Sequence, residues 1–343
     1  MSLPSLFQPR AGYTQKWSGT VVVLAPGPLP TVDYYLTPRL RALPAGAVQQ
    51  FDSRLFDAAA EQLPEGAFVI IVRHAAPDWL QLLARHRARW SGVAYLMDDD
   101  IPAAWLCSEL PLDYRLWTSG RYARIQRLLA AVCDRVWVAN ERLQARYAKS
   151  SARVITPQEP YAPRPAAPSG TRRWTYLGTR THRREIDWLV PVVAAVQAHS
   201  AQYAFELFGD ARVARQFAQV PRVRVLAPRP WPAFVQHCQS AQVAVGVAPL
   251  LPGRFNALRT HVKAFDITRC GAAGVFTRAA PFAPVLDDVA VLLPNDPALW
   301  IAEIRRLLED DAARQALHQR ASAWAARAGT DVALEPLIRE RVG

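Results

Sequence analysis

Between Arg254 and Asp266 the chain reads RFNALRTHVKAFD, and three residue types there suit one task. Asn256 brings an amide, Thr260 a hydroxyl and Lys263 an ammonium toward a helix that the pattern predicts over Val262–Arg269. A diphosphate needs hydrogen-bond donors and positive charge together, and a helix N-terminus adds partial charge of its own. Lys263 and Asp266 are three apart and share one helix face; as a bare surface pair they would have no consequence. Lys263 is one of only three lysines, with Lys16 and Lys149, among 41 basic residues. Upstream, Trp174-Thr175-Tyr176-Leu177-Gly178-Thr179 reads as a strand ending in a Gly-Thr turn, with His182 before the helix that follows. Gly178 permits close backbone approach, and amides at a helix start bind anions. The plainer reading is a β–α turn capped by Thr181 or Asp187.

In the first half, Asp98-Asp99-Asp100 follows a buried strand, Val93–Met97. Consecutive carboxylates there would orient the hydroxyls of a substrate, or one would act as general base. Asp100 capping a helix near Pro102 is the structural alternative. Arg73-His74 ends another apolar run, and His74 could serve as base or as hydrogen-bond donor. Trp79, Trp90, Trp105 and Trp117 suit core packing, or stacking on sugar faces.

Several chemistries are excluded by what is missing. The turn after the first strand reads Ala25-Pro26-Gly27-Pro28-Leu29-Pro30, and prolines supply no amides to a pyrophosphate, which argues against an ordinary dinucleotide-binding dehydrogenase. GxxxxGK[ST], GxSxG and HExxH are absent as well. Cys107, Cys133, Cys238 and Cys270 form no CxxC pair and read as buried free thiols, not as a zinc site or disulfide framework.

Short apolar runs alternate with helical patterns along the whole chain. Strands are predicted over Thr20–Ala25, Ala67–Arg73, Val93–Met97 and Arg135–Ala139, then Trp174–Leu177, Ala204–Phe208, Val223–Leu226, Val243–Val247, Gly274–Thr277 and Val289–Leu293. Helices are predicted over Ser53–Glu61, Asp78–Arg89, Ser119–Val132, Asn140–Ala148, Glu185–Ala198, Val213–Gln219, Trp231–Cys238 and Val262–Arg269. Alternation of this kind predicts parallel sheets wrapped by helices. Five prolines in Pro157–Ser169 mark an extended linker between two halves. The expected fold class is α/β, with two Rossmann-like domains facing each other across a cleft.

The second half resembles the donor domain of GT-B glycosyltransferases of the family 4-like group. The resemblance rests on Tyr176-Leu177-Gly178-Thr179 with His182 and Asp187, and on Pro249-Leu250, Phe255-Asn256, Thr260, Lys263 and Asp266. Gly271-Ala-Ala-Gly274-Val-Phe-Thr277, Pro281-Phe282 and Leu292–Asn295 continue it, over roughly residues 172–310. It implies an acceptor-binding domain at residues 1–160, a nucleotide-sugar-binding domain at 170–320, and a C-terminal helix at 321–343 crossing back to the first. The implied reaction moves a sugar from a nucleotide sugar to a hydroxyl of a glycan or lipid-linked saccharide. The implied donor-binding residues are Gly178, Thr179, His182, Asn256, Thr260, Lys263 and Asp266, the last of them for the ribose. Acceptor contacts fall to Asp98, Asp99 and Asp100, and catalytic assistance to His74, Asp99 and Lys263. Members of the group place two glutamates eight apart; here Asp266 holds the second position and Leu258 the first, so retention and inversion both stay open. The DxD spacing within Asp98–Asp100 matches a metal-holding motif of GT-A enzymes, but the donor-like motifs lie in the other half. No metal and no cofactor is expected, the nucleotide sugar being a substrate.

The formal charge of the 343-residue chain is +12, almost all of the excess being arginine. Such a surface favours anionic partners: nucleotide phosphates, nucleic acid or an anionic membrane face. Basic residues are dispersed without an RNA-binding motif, which makes nucleic acid the weaker candidate. The longest apolar stretches fall far short of a membrane span, and no secretory leader is visible. A cytoplasmic protein, peripheral at the inner face of the cell membrane, is the expectation. A catalytically silent nucleotide-sugar-binding or assembly protein on the same fold is the alternative.

Overall fold

A strand with no polar alternation must be covered on both faces, and Val21–Ala25 (β1, VVVLA) is buried along its whole length. The computed structural model describes residues 5–9, 12–57, 61–283, 285–328 and 333–339. From β1 the chain passes Pro30–Tyr35 (α1) and Thr37–Leu40 (α2) to Val48–Asp52 (β2). Phe68–Val72 (β3), Pro77–Arg85 (α3), Gly92–Met97 (β4), Leu112–Val132 (α4), Arg135–Val138 (β5), Glu141–Arg146 (α5) and Arg153–Val154 (β6) follow. The six strands are parallel in the order β2-β1-β3-β4-β5-β6. Val21 of β1 lies opposite Val48 on one side and Phe68 on the other. The chain therefore reverses its direction of travel across the sheet between β1 and β3. Connections there leave toward opposite sides and open a crevice at the C-terminal strand ends.

The second sheet repeats this plan. Arg173–Tyr176 (β7), Arg183–His199 (α6), Ala204–Phe208 (β8), Ala211–Gln216 (α7), Val223–Leu226 (β9) and Trp231–Ser240 (α8) lead to Val245–Ala248 (β10). Val262–Arg269 (α9), Ala273–Thr277 (β11), Val291–Leu293 (β12), Pro297–Glu309 (α10), Asp311–Ala328 (α11) and Leu334–Arg339 (α12) complete the chain. Its strands are again all parallel, in the order β12-β11-β10-β7-β8-β9, with the reversal between β7 and β10. Helix starts follow local chemistry. Asn140, Asp210 and Asp296 each accept a backbone N–H of the following turn, and Pro297 stands first in its helix, where no N–H is needed.

The chain forms two compact units: Met1–Ser108, Leu112–Pro160 and Asp331–Gly343 make one, and Glu109–Pro111 with Tyr161–Thr330 make the other. The division falls inside the proline segment. Gln158 N–H donates to Tyr34 C=O in the first unit (2.8 Å), and Ala167 N–H to Gly271 C=O in the second (2.9 Å). Of the C-terminal stretch, α11 stays with the second unit to its end. Only the part from Asp331 belongs to the first, where Ile338 C=O accepts from Arg135 at 2.9 Å.

Three local differences from the sequence reading have physical causes. No helix forms at Ser53: Asp52 accepts the Arg54 N–H and grips its guanidinium, which holds a turn there. Residues 58–60 of that predicted helix lie outside the described residues. Strand β2 (VQQFD) was invisible because an edge strand needs no continuous apolar run. Helix α1 begins at Pro30, a residue read from sequence as part of a turn.

Gly246 lets α9 approach β10. A Cβ there would lie 2.6 Å from the Ile267 side chain. Gly246→Ala should therefore overpack this contact and cost about 1–3 kcal/mol, read as a lower urea midpoint; an unchanged midpoint would refute the close packing.

Candidate functional site

At the reversal in the second sheet, the loops after β7 and β10 come together. A Cβ on Gly178 would fall 2.1 Å from the Tyr176 ring, so the turn after β7 has room only for glycine. The loop after β10 is anchored by a closed set of bonds. Leu250 N–H donates to Thr277 Oγ1 (2.8 Å), Thr277 Oγ1 donates to Asn295 Oδ1 (2.6 Å), and Asn295 Nδ2 donates to Leu250 C=O (3.1 Å). Glu109 accepts the Phe255 N–H at 2.6 Å and holds the middle of the same loop.

Glu185, in the first turn of α6, organises this edge although sequence reasoning gave it no role. Its buried carboxylate accepts from Asn256 Nδ2 (2.7 Å) and Leu251 N–H (3.1 Å), with His182 Nδ1 at 3.7 Å. Burial alone would favour the neutral acid, yet His182 and the amides hold Glu185 below the usual carboxylate range. His182 moves the same way for a different reason. Burial, then the charges of Lys263 and Arg259, disfavour its cation, so the ring is neutral. The signal that could have found Glu185 is its spacing, three after His182 on the same first turn.

Asn256 is a positioning residue. Its two amide hydrogens go to Glu185 and to Leu251 C=O (2.9 Å), and its oxygen accepts from Arg259 Nε (3.2 Å), so no donor remains for a ligand. Asp266 also departs from the sequence reading. Its carboxylate is paired with Arg269 at 3.1 Å and buried, a structural contact within α9. Thr179 is exposed, its hydroxyl 3.4 Å from that of Thr181, and Thr260 is half-buried.

Lys263 behaves differently. It is half-buried in the first turn of α9, with Nζ 5.4 Å from the centre of the Tyr176 ring. Burial and the neighbouring Arg259 pull its pKa down to about 8, while Asp266 and Glu185 act in the other direction. No carboxylate among the described residues forms an ion pair with it. Arg259 and Lys263 thus stand with Glu185 and Asp266 at the C-terminal strand edge.

The reversal in the first sheet carries a second cluster. Arg73 has φ +60°, a left-handed backbone uncommon for a long side chain. It is held there by Tyr95, whose hydroxyl donates to Arg73 C=O at 2.9 Å, and by two carboxylates. Arg73 Nε and Nη2 bond Asp98 at 2.5 and 2.9 Å, and Nη2 reaches Asp99 at 2.8 Å. Asp98 accepts the Thr31 hydroxyl as well. Asp100, expected at the acceptor, is instead buried between Tyr147 and Arg146 and ties α5 to the loop after β4.

His74 follows Arg73, its carbonyl fixed by the Ser53 hydroxyl at 2.6 Å. Arg121 Nη2 lies 3.2 Å from His74 Nδ1. A guanidinium only donates, so Nδ1 must accept and the ring proton sits on Nε2. Burial first, then Arg121, push the His74 pKa down to about 4. Of the two roles left open by sequence, the geometry favours a neutral donor through Nε2–H.

Neither a family model nor a curated protein matches the sequence. Solved structures do. The alpha,alpha-trehalose-phosphate synthase (UDP-forming) from Burkholderia vietnamiensis superposes with TM-score 0.56 at 10% identity, over 90% of this chain and 96% of that one. S. aureus TarM, in complex with fondaparinux, alpha-GlcNAc-glycerol and UDP, gives TM-score 0.50 at 10% identity over 81% of this chain. The pneumococcal O-GlcNAc transferase GtfA with UDP and GlcNAc gives 0.50 at 12%, also over 81%. The fold is GT-B. This chain spans about half the length of TarM and GtfA, 53% and 56% of those chains. At these identities the shared property is the GT-B architecture. Among the described residues, no group of three or more His, Cys, Asp or Glu side chains is arranged to hold a metal ion.

The neutral His74 has a stability consequence. An unfolded histidine titrates near 6.5, the folded one at about 4. Between those values the unfolded chain holds a proton that the folded chain lacks, so stability falls as pH drops from 6.5 toward 4 and is unaffected above 6.5. His74→Gln should reduce this acid slope in urea midpoints taken between pH 7.5 and 4.5; an identical slope would show that His74 titrates normally.

Proposed function

We propose that this chain is a glycosyltransferase of the family 4-like kind. It would move a sugar from a nucleotide sugar to a hydroxyl of a glycan or lipid-linked saccharide. The observation that carries the reading is Lys263: a half-buried ammonium without a carboxylate ion pair, beside Arg259, at the strand reversal of the second sheet. A diphosphate supplies the missing counter-charge. As the bond from the anomeric carbon to the diphosphate breaks, negative charge grows on the leaving oxygen, and Lys263 with Arg259 stabilises it. Glu185 and Asn256 hold the loop that presents Arg259. In this reading the positive charge facing the diphosphate comes from the protein, and no cofactor is called for. In the first unit, His74 would hold an acceptor oxygen through Nε2–H, while Asp98 and Asp99 act by orienting Arg73. TarM and GtfA, both solved with UDP, support the donor class.

The test is thermal stability with UDP, GDP, ADP, CMP or dTDP, for the wild type and Lys263→Ala. One nucleotide at 100 times its Kd should stabilise the wild type by about 2.7 kcal/mol, and the variant should lose this gain. Affinity should also decline as pH rises past about 8, where Lys263 loses its proton. A folded protein indifferent to every nucleotide would sink the assignment. Release of free nucleotide from the donor separates the enzyme from a silent binder on the same fold.

A membrane-facing role has its own observation. Leu112 and Leu116 are 62% exposed and Trp117 59%, all on α4, whose exposed residues also include Arg124 and Arg127. Apolar and basic side chains on one exposed helix suit the interface of an anionic bilayer. No helix among the described residues is long and apolar enough to cross a membrane, and all four cysteines are free and buried, which supports a reducing, cytoplasmic setting at the inner face. Sedimentation with phosphatidylglycerol vesicles should carry the protein down, and Leu112→Ser with Leu116→Ser should leave most of it in the supernatant. Equal sedimentation of both proteins would remove α4 from the contact.

A further inference from the structure

The strand reversal of the first sheet holds a cavity of about 230 Å³, within the first unit. That is below the ~300–1,000 Å³ of drug-sized sites, room for one small ring and a substituent. Its lining includes Arg54, Arg73, His74 and Arg121, and no carboxylate among the described residues lines it. Asp52, Asp98 and Asp99 grip Arg54 and Arg73 without lining the cavity themselves. Arg121 pairs with no carboxylate among the described residues: it lies against His74 and over the Trp117 ring, 4.6 Å from its centre. Burial first, then the nearby charge of Arg54, disfavours the Arg121 cation. Arg121 is thus the guanidinium of this cavity whose charge no described carboxylate offsets.

Each group is held in place. Arg54 is chelated by Asp52 at 2.6 and 2.9 Å, and its guanidinium lies over Gly27, where a Cβ would come within 3.3 Å. Gly27 itself has φ +84°, a conformation that also excludes larger residues. Arg73 is fixed in its left-handed conformation, and His74 presents Nε2–H as a neutral donor. The donors come from three places in the fold: the turn after β2, the end of β3 and the middle of α4. A planar carboxylate is satisfied by one guanidinium fork, whereas a phosphate monoester offers three oxygens in three directions. Tyr114 and Trp117 add an aromatic wall beside them, suited to a sugar ring.

We propose that this cavity binds the phosphate of a phosphorylated sugar, with Arg121 and Arg54 as its principal ligands. The phosphosugar is then the acceptor in place of the glycan or lipid-linked saccharide named above, a role that rests on the transferase reading; the anion site itself does not.

Calorimetry on the full chain tests this with glucose 6-phosphate, fructose 6-phosphate, glucose 1-phosphate, inorganic phosphate, glucuronate and glucose, and with UDP on every variant. At least one hexose phosphate should bind tenfold or more tighter than glucose, glucuronate or inorganic phosphate. Arg121→Gln and Arg54→Gln should each weaken it about tenfold, as loss of a charged hydrogen bond does, while UDP affinity stays unchanged and reports an intact fold. Hexose phosphates no tighter than glucose, or unaffected by both substitutions, would overturn the proposal. Inorganic phosphate or glucuronate binding equally well would overturn the phosphosugar assignment in favour of a plain anion site. Failure of UDP, GDP, ADP, CMP and dTDP alike to bind the wild type, with hexose phosphate binding as expected, would sink the nucleotide-donor reading and leave this site standing.

Discussion

Two parallel sheets covered on both faces leave polar chemistry almost nowhere to go. The central strands VVVLA and FVIIV of the first sheet and VGVA and AGVFT of the second are buried at every residue, so the middle of each sheet offers no face on which a charged group could meet a ligand. A buried charge without a partner costs several kcal/mol, and the polar groups collect where the strands end. At the C-terminal edges two adjacent connections leave in opposite directions, between β1 and β3 in one sheet and between β7 and β10 in the other. Both clusters of charged side chains described above lie at these points. The sheet topology determines their positions before any individual residue contributes.

Within each cluster one charged residue organises the others. Glu185 is ionised despite burial because Asn256 and the Leu251 amide solvate it in place of water. By occupying Asn256, it turns that side chain from a ligand contact into a brace for Arg259. Arg73 does the corresponding work in the first sheet. Two carboxylates and the Tyr95 hydroxyl keep it in an uncommon backbone conformation, and this directs His74 toward Arg121. In both places acids are consumed in holding the framework. Among the described residues Lys263 and Arg121 have no ion-pair partner, and both stand near strand ends.

That division of labour accounts for where the family pattern and this chain part company. The sequence lacks the paired glutamates of the resemblance, and Asp266 is spent on Arg269. A buried glutamate does reach the loop after β10, but it comes from α6 through space. Its task is to hold the loop, and positive charge is what the loop presents. Asp100 shows the same economy in the first unit: an acid that looked available in the sequence is tied between Tyr147 and Arg146.

Much of the architecture was legible in the residues themselves. The bounds of Ala204–Phe208, Val223–Leu226 and Val262–Arg269 agree with the sequence reading to the residue, because an inner strand, a half-exposed edge strand and a helix with one buried face each leave their own apolar pattern in the chain. Lys263 was legible as well, since a rare lysine at a helix start after a buried strand is a local signal. What the sequence could not express was partnership. Whether Asp98, Asp100, Asn256 or Asp266 is available to a ligand depends on Arg73, Tyr147, Glu185 and Arg269, and apart from the last these lie 25 to 71 positions away along the chain or are reached only through the fold. Arg54 and Arg121 likewise meet one cavity only because the turn after β2 and the middle of α4 lie beside the same strand reversal. Periodicity and capping act between near neighbours and are written in order along the chain. Ion pairing and desolvation act between whatever groups the packed strands bring together, and the tertiary structure alone decides which those are.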